Sequence, residues 1–222
     1  KKYCLMDIQE LSNCSEDDWA TYSHTVVTNF FVPVENRVKI FKEVYHLITQ
    51  MNLRVWITGG TLLGAIRDKT FIELDDDIDM DMLEPDFINI MYILKDKLID
   101  LGYIVRLTDG SNPKMSFFKS GFKTSIGALK IQGKWLTRPI QKYPKIIFDT
   151  DNFVEFYGVR CLIPNPPEDY LEHVYGKQWI IPIHSNNDDM CDYHSIKSFN
   201  YKSFTSYKMA TKIIIRRILS IA

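Results

Sequence analysis

Residues 56–82 read WITGGTLLGAIRDKTFIELDDDIDMDM, and the fold turns on how this stretch is divided. The run Val55-Trp56-Ile57-Thr58 has the apolar, β-branched and aromatic character of a buried strand. It ends at Gly59-Gly60-Thr61, where glycine permits a tight turn and lets backbone approach a neighbour closely. Leu62, Leu63 and Ile66 then make a short amphipathic segment that carries Arg67. Asp75, Asp76, Asp77, Asp79 and Asp81 follow in seven positions. Ile78 and Met80 alternate with Asp77, Asp79 and Asp81, the period-two pattern of a half-buried strand. One face of that strand is therefore acidic, and its charges repel unless a cation sits among them.

Such a face suits a hard divalent cation, Mg2+ or Mn2+, which takes oxygen ligands. The adjacent carboxylates of Asp77, Asp79 and Asp81 on that face can share such an ion. The Gly-Gly turn, opening a helix, suits phosphate oxygens. Acidic runs are more often solvated loops and Gly-Gly more often a plain turn. The order strand, turn, helix, acidic strand favours chemistry on an activated phosphate.

Outward from this core, 222 residues make one full domain with room for a sizeable hydrophobic core. The balance of 27 basic and 28 acidic side chains, net charge −1, argues against a nucleic-acid partner. No run has the length of a membrane span. Pro33 starts a helical pattern in which Val34, Val38, Phe41, Tyr45 and Ile48 recur. A second helix is expected from Glu84 to about Leu101, with Glu84 and Asp86 favouring its first turn. Tyr103–Leu107, Met115–Lys119 and Ser125–Ile131 read as strands. Residues 132–145 read as a basic, proline-bearing loop. A hairpin is expected at Phe153–Phe156 and Val159–Ile163, then a short helix at Glu168–Tyr175 closed by Gly176.

The resulting organisation is an N-terminal arm over 1–32, one α/β (α+β) domain over 33–195, and a basic amphipathic helix over 196–222. That last segment either docks on the core or meets a membrane surface. Cys4, Cys14, Cys161 and Cys191 show no CxxC pair, and Cys4–Cys14 and Cys161–Cys191 are candidate disulfides. Asn13-Cys14-Ser15 is a glycosylation sequon, which tilts the expected compartment toward the secretory pathway.

GGTLLGAIR at 59–67 followed by DDDID at 75–79 closely resembles the signature of the LicD/fukutin family. FYGVRCLIPNPPEDYLEHVYGKQWIIP at 156–182 resembles that family's second block. The resemblance implies a nucleotidyltransferase-like mixed sheet flanked by helices. It also implies transfer of a phosphorylated alcohol, of the phosphocholine or ribitol phosphate type, from a CDP-activated donor to a glycan or glycoprotein. Gly59, Gly60, Thr61, Gly64 and Arg67 would hold donor phosphate, and Asp75, Asp77 and Asp79 would be catalytic and metal-binding. The family has a further Asp about fifty residues on. The nearest match here, Leu129–Gln132, puts Lys130 in that place, with Asp149, Asp151 or Glu155 as possible substitutes. A non-catalytic nucleotide- or glycan-binding protein is the rival reading.

Overall fold

A computed structural model describes residues 32–73, 75, 77–139 and 141–182. The arm expected over 1–32, except Val32, lies outside the described residues, as do Cys4, Cys14, Cys191 and the basic tail over 196–222. Helix α1 (Val34–Gln50) starts after Pro33 and buries Ile40, Phe41, Val44, Tyr45, Leu47 and Ile48. Strand β1 is Trp56–Ile57, and the short helix α2 is Gly59–Leu63, continued by one wide turn over Gly64–Asp68. Strand β2 (Asp77–Leu83) runs straight into helix α3 (Glu84–Asp100). Strands β3 (Ile104–Thr108), β4 (Lys114–Lys119) and β5 (Phe122–Gln132) follow as a meander. Strands β6 (Trp135–Arg138) and β7 (Gln141–Pro144) form a hairpin on the far end of β5. Strands β8 (Asn152–Phe156) and β9 (Val159–Ile163) precede helix α4 (Pro167–Tyr175).

The main sheet runs in the order β3-β4-β5-β2-β1-β9-β8. It is mixed: β2–β5 and β1–β9 are parallel, the other pairs along that order antiparallel. Ile78, Met80 and Met82 point to one face of β2 and are buried. The α3 helix packs against β2, β3 and β5, burying Phe87, Met91, Leu94 and Leu98. The opposite face of β2 carries Asp77, Asp79 and Asp81. The architecture is thus the expected mixed α/β sheet flanked by helices. The Tyr157-Gly158 corner of the β8–β9 hairpin has φ of 52° and 76°, the doubly left-handed geometry that suits a two-residue hairpin turn.

Three expectations are corrected. Residues 132–145 are the β6–β7 hairpin rather than a loop, because Trp135, Leu136 and Thr137 pair with Tyr143 and its neighbours while Pro144 sits at a strand end. β5 is also longer than expected, since its first half pairs with β2 and β4 and its end with β6. Cys161 is a buried free thiol in β9 rather than half of a disulfide. Burial pushes that thiol up to about 12, well outside its reactive range.

The described residues fall into two compact units, one ending at Tyr170 and one beginning at Leu171. In the second, residues 171–175 finish α4, and Gly176 follows with φ of 82°. Among the described residues, no helix is long and apolar enough to cross a membrane.

Candidate active site

The site is built on β2. Its parallel register with β5 sets Asp77 beside Lys123, Asp79 beside Ser125 and Asp81 beside Gly127. Lys123 Nζ donates to Asp77 Oδ2 at 2.6 Å, and Ser125 Oγ reaches the same oxygen at 3.2 Å. Asp81 is fully buried. It accepts from Thr58 Oγ1 at 2.9 Å on one oxygen and from Arg138 Nη1 at 2.8 Å on the other. A side chain at Gly127 would stand 2.6 Å from Asp81 Oδ1 and 3.1 Å from Arg138 Nη1, so glycine there makes room for this ion pair. Lys114, opposite Gly127 on β4, adds a third positive charge in the field of Asp77 and Asp79. Cations therefore do sit among these aspartates.

Asp79 lies between the two pairs. Burial first, and then the charge of Asp77, push its carboxyl up to about 7, against the pull of Arg138 and Lys123. Its Oδ2 accepts from Gly60 N at 3.3 Å. A β-carbon at Gly59 would run into Asp79 Oδ2, and one at Gly60 into Asp75 Oδ2. The Gly-Gly turn is thus a cradle that two carboxylates already enter. Gly59 has φ of 53°, a conformation that favours glycine, and donates its N–H to Tyr170 Oη at 3.0 Å.

Asp77 and Asp79 share one face of β2, and Asp75 reaches the Gly60 side of the turn. Thr61 is buried, and its hydroxyl accepts from Asp79 N at 2.9 Å, tying α2 to β2. Gly64 is a packing glycine, since a β-carbon there would meet Thr70 O at 2.5 Å. Arg67 forks onto Asp68 through Nε and Nη2 at 2.8 and 2.7 Å.

Lys130 is corrected. It is exposed near the end of β5, where its carbonyl accepts from Thr137 Oγ1. The β5 residues that face the aspartates are Lys123, Ser125 and Gly127, none of them acidic. The suggested substitutes are elsewhere: Asp149 pairs with Lys145, Asp151 with Arg54, and Glu155 is exposed on β8.

Sequence reasoning missed Arg37. Its guanidinium is buried in α1 and donates to four carbonyls: Val32 at 2.8 Å, Ile72 at 3.1 Å, Glu73 at 3.1 Å and Asp75 at 2.9 Å. It also lies 5.2 Å from the centre of the Phe122 ring. Phe71 is wedged against Phe41, Phe156 and Tyr157 with centroids 5.8, 5.1 and 5.2 Å away. Together they fix the approach to the acidic strand. A charged residue between Asn36 and Val38 carries no periodic signal of burial.

Residues 52–119 match the family model described as LicD/FKTN/FKRP, nucleotidyltransferase domain. This segment matches the LicD family. It contains β1, α2, β2, α3, β3 and β4, with every carboxylate of the site. An uncharacterized protein of Rickettsia prowazekii (strain Madrid E) is 39% identical over 67 residues, 30% of this chain and 25% of that protein. The chain spans about a quarter of the length of the curated relatives it matches. The solution structure of the antibiotic-resistance factor ANT(2'')-Ia superposes with a TM-score of 0.45 at 11% identity, covering 85% of this chain and 94% of that one. A putative nucleotidyltransferase from Thermotoga maritima gives a TM-score of 0.41 at 14% identity, covering 64% and 86%.

The LicD-family segment can be tested for its fit to a divalent cation. Among the described residues, Asp77 Oδ1 and Asp79 Oδ1 accept no hydrogen bond, because their bonds all go to Oδ2. Two hard oxygens on one strand face, one belonging to a carboxyl that resists ionising beside its neighbour, suit such an ion. Among the described residues no three His, Cys, Asp or Glu side chains gather as a complete metal site.

The Gly60 side of the cradle is testable. Gly60→Ala adds a good helix former but forces the Asp75 carboxylate aside. Its melting temperature should hold within a few degrees while Mn2+ affinity falls severalfold. Unaltered affinity would exclude Asp75 from the cation site.

Proposed function

We propose that this protein is a metal-dependent phosphotransferase that moves a phospho-alcohol, of the phosphocholine or ribitol phosphate type, from a CDP-activated donor to a glycan acceptor. The observation that carries the reading is the Asp77–Asp79 pair, each with one oxygen left over, beside the Gly59-Gly60 turn of a LicD-family segment. Asp77 and Asp79, with Asp75 alongside, would hold Mg2+ or Mn2+. When bound, the ion supplies charge neutralisation on the donor pyrophosphate and the leaving CMP.

The chain's own residues do the rest. Ser125 and Lys123 hold Asp77 by one oxygen, which leaves the other without a hydrogen bond among the described residues. Gly60 N–H does the same for Asp79. Arg138 and Thr58 satisfy Asp81, so the strand's innermost charge is neutralised and supports the other two from below. Arg37 holds the carbonyls of Ile72, Glu73 and Asp75, and with them the carboxylate at the turn. Ionised Asp79 is the form that binds a cation, so donor binding should strengthen as pH rises through about 7.

A thermal-shift panel of CDP-choline and CDP-ribitol against ATP and UTP, with and without Mg2+, tests the reading. The CDP-alcohols should stabilise the protein only when Mg2+ is present, and CMP should be released once a suitable oligosaccharide is added. Stabilisation by ATP alone would sink it.

A further inference from the structure

The two blocks of sequence that resemble the family say nothing about β5, yet β5 decides what surrounds the aspartates. Its three positions opposite Asp77, Asp79 and Asp81 are a lysine, a serine and a glycine. No carboxylate comes from this strand, and the side chain directly beside Asp77 is positively charged. Lys123 Nζ sits 2.6 Å from Asp77 Oδ2, with about a fifth of the side chain exposed, so the pair lies at the mouth of the site. Ser125 shares the same oxygen.

We propose that Lys123 is a fixed second cation of this site, serving beside a single divalent ion and setting its affinity against that of the nucleotide phosphates. The inference rests on the nucleotide-donor reading given above. Its physical basis is charge. An ammonium ion-paired to Asp77 neutralises part of the field that attracts a divalent cation, so it weakens binding of the bare ion. Once the ion is in place, phosphate oxygens brought to it fall within the field of the same ammonium, so it strengthens their binding. Lysine is suited to this because it is a compact point charge rather than a planar fork.

The two effects have opposite signs, which separates them from a loss of structure. Calorimetric titrations with Mn2+ alone, and then with CDP in saturating Mn2+, should be run on the wild type, Lys123→Met and Lys123→Arg. Lys123→Met should bind Mn2+ more tightly by about tenfold and CDP more weakly by about tenfold, the scale of a single charge interaction in a part-buried site. Lys123→Arg keeps the charge and should stay within about threefold of wild type in both. The stoichiometry should be one Mn2+ per chain. Weakening of both ligands in Lys123→Met would mean that the lysine merely positions Asp77, and would overturn the proposal. So would unchanged affinities, or two Mn2+ ions in the wild type. If Asp79→Asn abolishes Mn2+ binding while Lys123→Met changes nothing, this inference fails and the phosphotransferase reading stands. If neither the wild type nor Lys123→Met binds Mn2+ or CDP, both fail.

Discussion

Asp79→Asn should abolish transfer, lowering CMP release by on the order of a hundredfold or more, while the fold survives. Asparagine can still accept the Gly60 N–H bond but brings no charge to a cation. Asp77→Asn should behave alike, because it too removes one of the two charges of the pair. Stability should move the other way. In the folded protein Asp79 holds its proton up to about 7, against 3.8 for an ordinary aspartate. A carboxyl whose pKa is raised by folding contributes stability that is fully present below the unfolded value, near pH 4, and lost as pH rises toward about 7. The metal-free wild type should therefore lose melting temperature across that window, and Asp79→Asn should lose less. Above about pH 7 the variant should be the more stable of the two. A melting temperature several degrees below wild type at neutral pH would show that the carboxylate is structural.

Arg138→Ala should be the most damaging single change to the fold. It leaves Asp81, completely buried, with Thr58 as its remaining partner and Asp79 as a like-charged neighbour. Breaking a buried ion pair from one side commonly costs about 3–5 kcal/mol. For a chain of this size that corresponds to a fall on the order of 10 °C in melting temperature. Asp81→Asn combined with Arg138→Met removes both charges and should recover most of the loss, because the penalty lies in the unpaired charge rather than in the missing bond. A single variant that melts within a degree of wild type would mean that Asp81 is neutral in the folded protein. Burial, opposed by Arg138 and Thr58, already pushes its carboxyl above the usual range.

The acidic strand was legible because alternation is local: Ile78 and Met80 turn inward by the same two-residue period that turns the aspartates outward. The helices at Val34–Gln50 and Glu84–Asp100 and the β8–β9 hairpin were legible for the same reason. What surrounds the aspartates was not. Lys123, Ser125 and Arg138 arrive from strands whose register against β2 is a long-range fact that no local pattern encodes. Spacing against the family pattern pointed to Lys130, seven positions beyond the lysine that touches Asp77. The basic stretch around Lys134, Arg138 and Lys142 read as a loop because charge and proline outweighed Trp135, Leu136 and Tyr143. Its Arg138 then proved to be the partner of the most deeply buried aspartate. The repulsion among the aspartates is therefore met in part by cations that the chain itself brings.

The bond between Gly59 and Tyr170 joins positions 111 apart, and among the described residues β1 has β2 and the late strand β9 for neighbours. Synthesis from the N-terminus thus delivers the whole acidic strand long before the residues that close the sheet beside it. Until β9 emerges, the growing chain exposes one apolar strand edge next to a run of like charges, a state that cannot settle locally. The LicD-family segment over 52–119 made alone would stay in that unfinished condition, prone to pair its open edge with another copy. A usable fragment must reach at least through Tyr170.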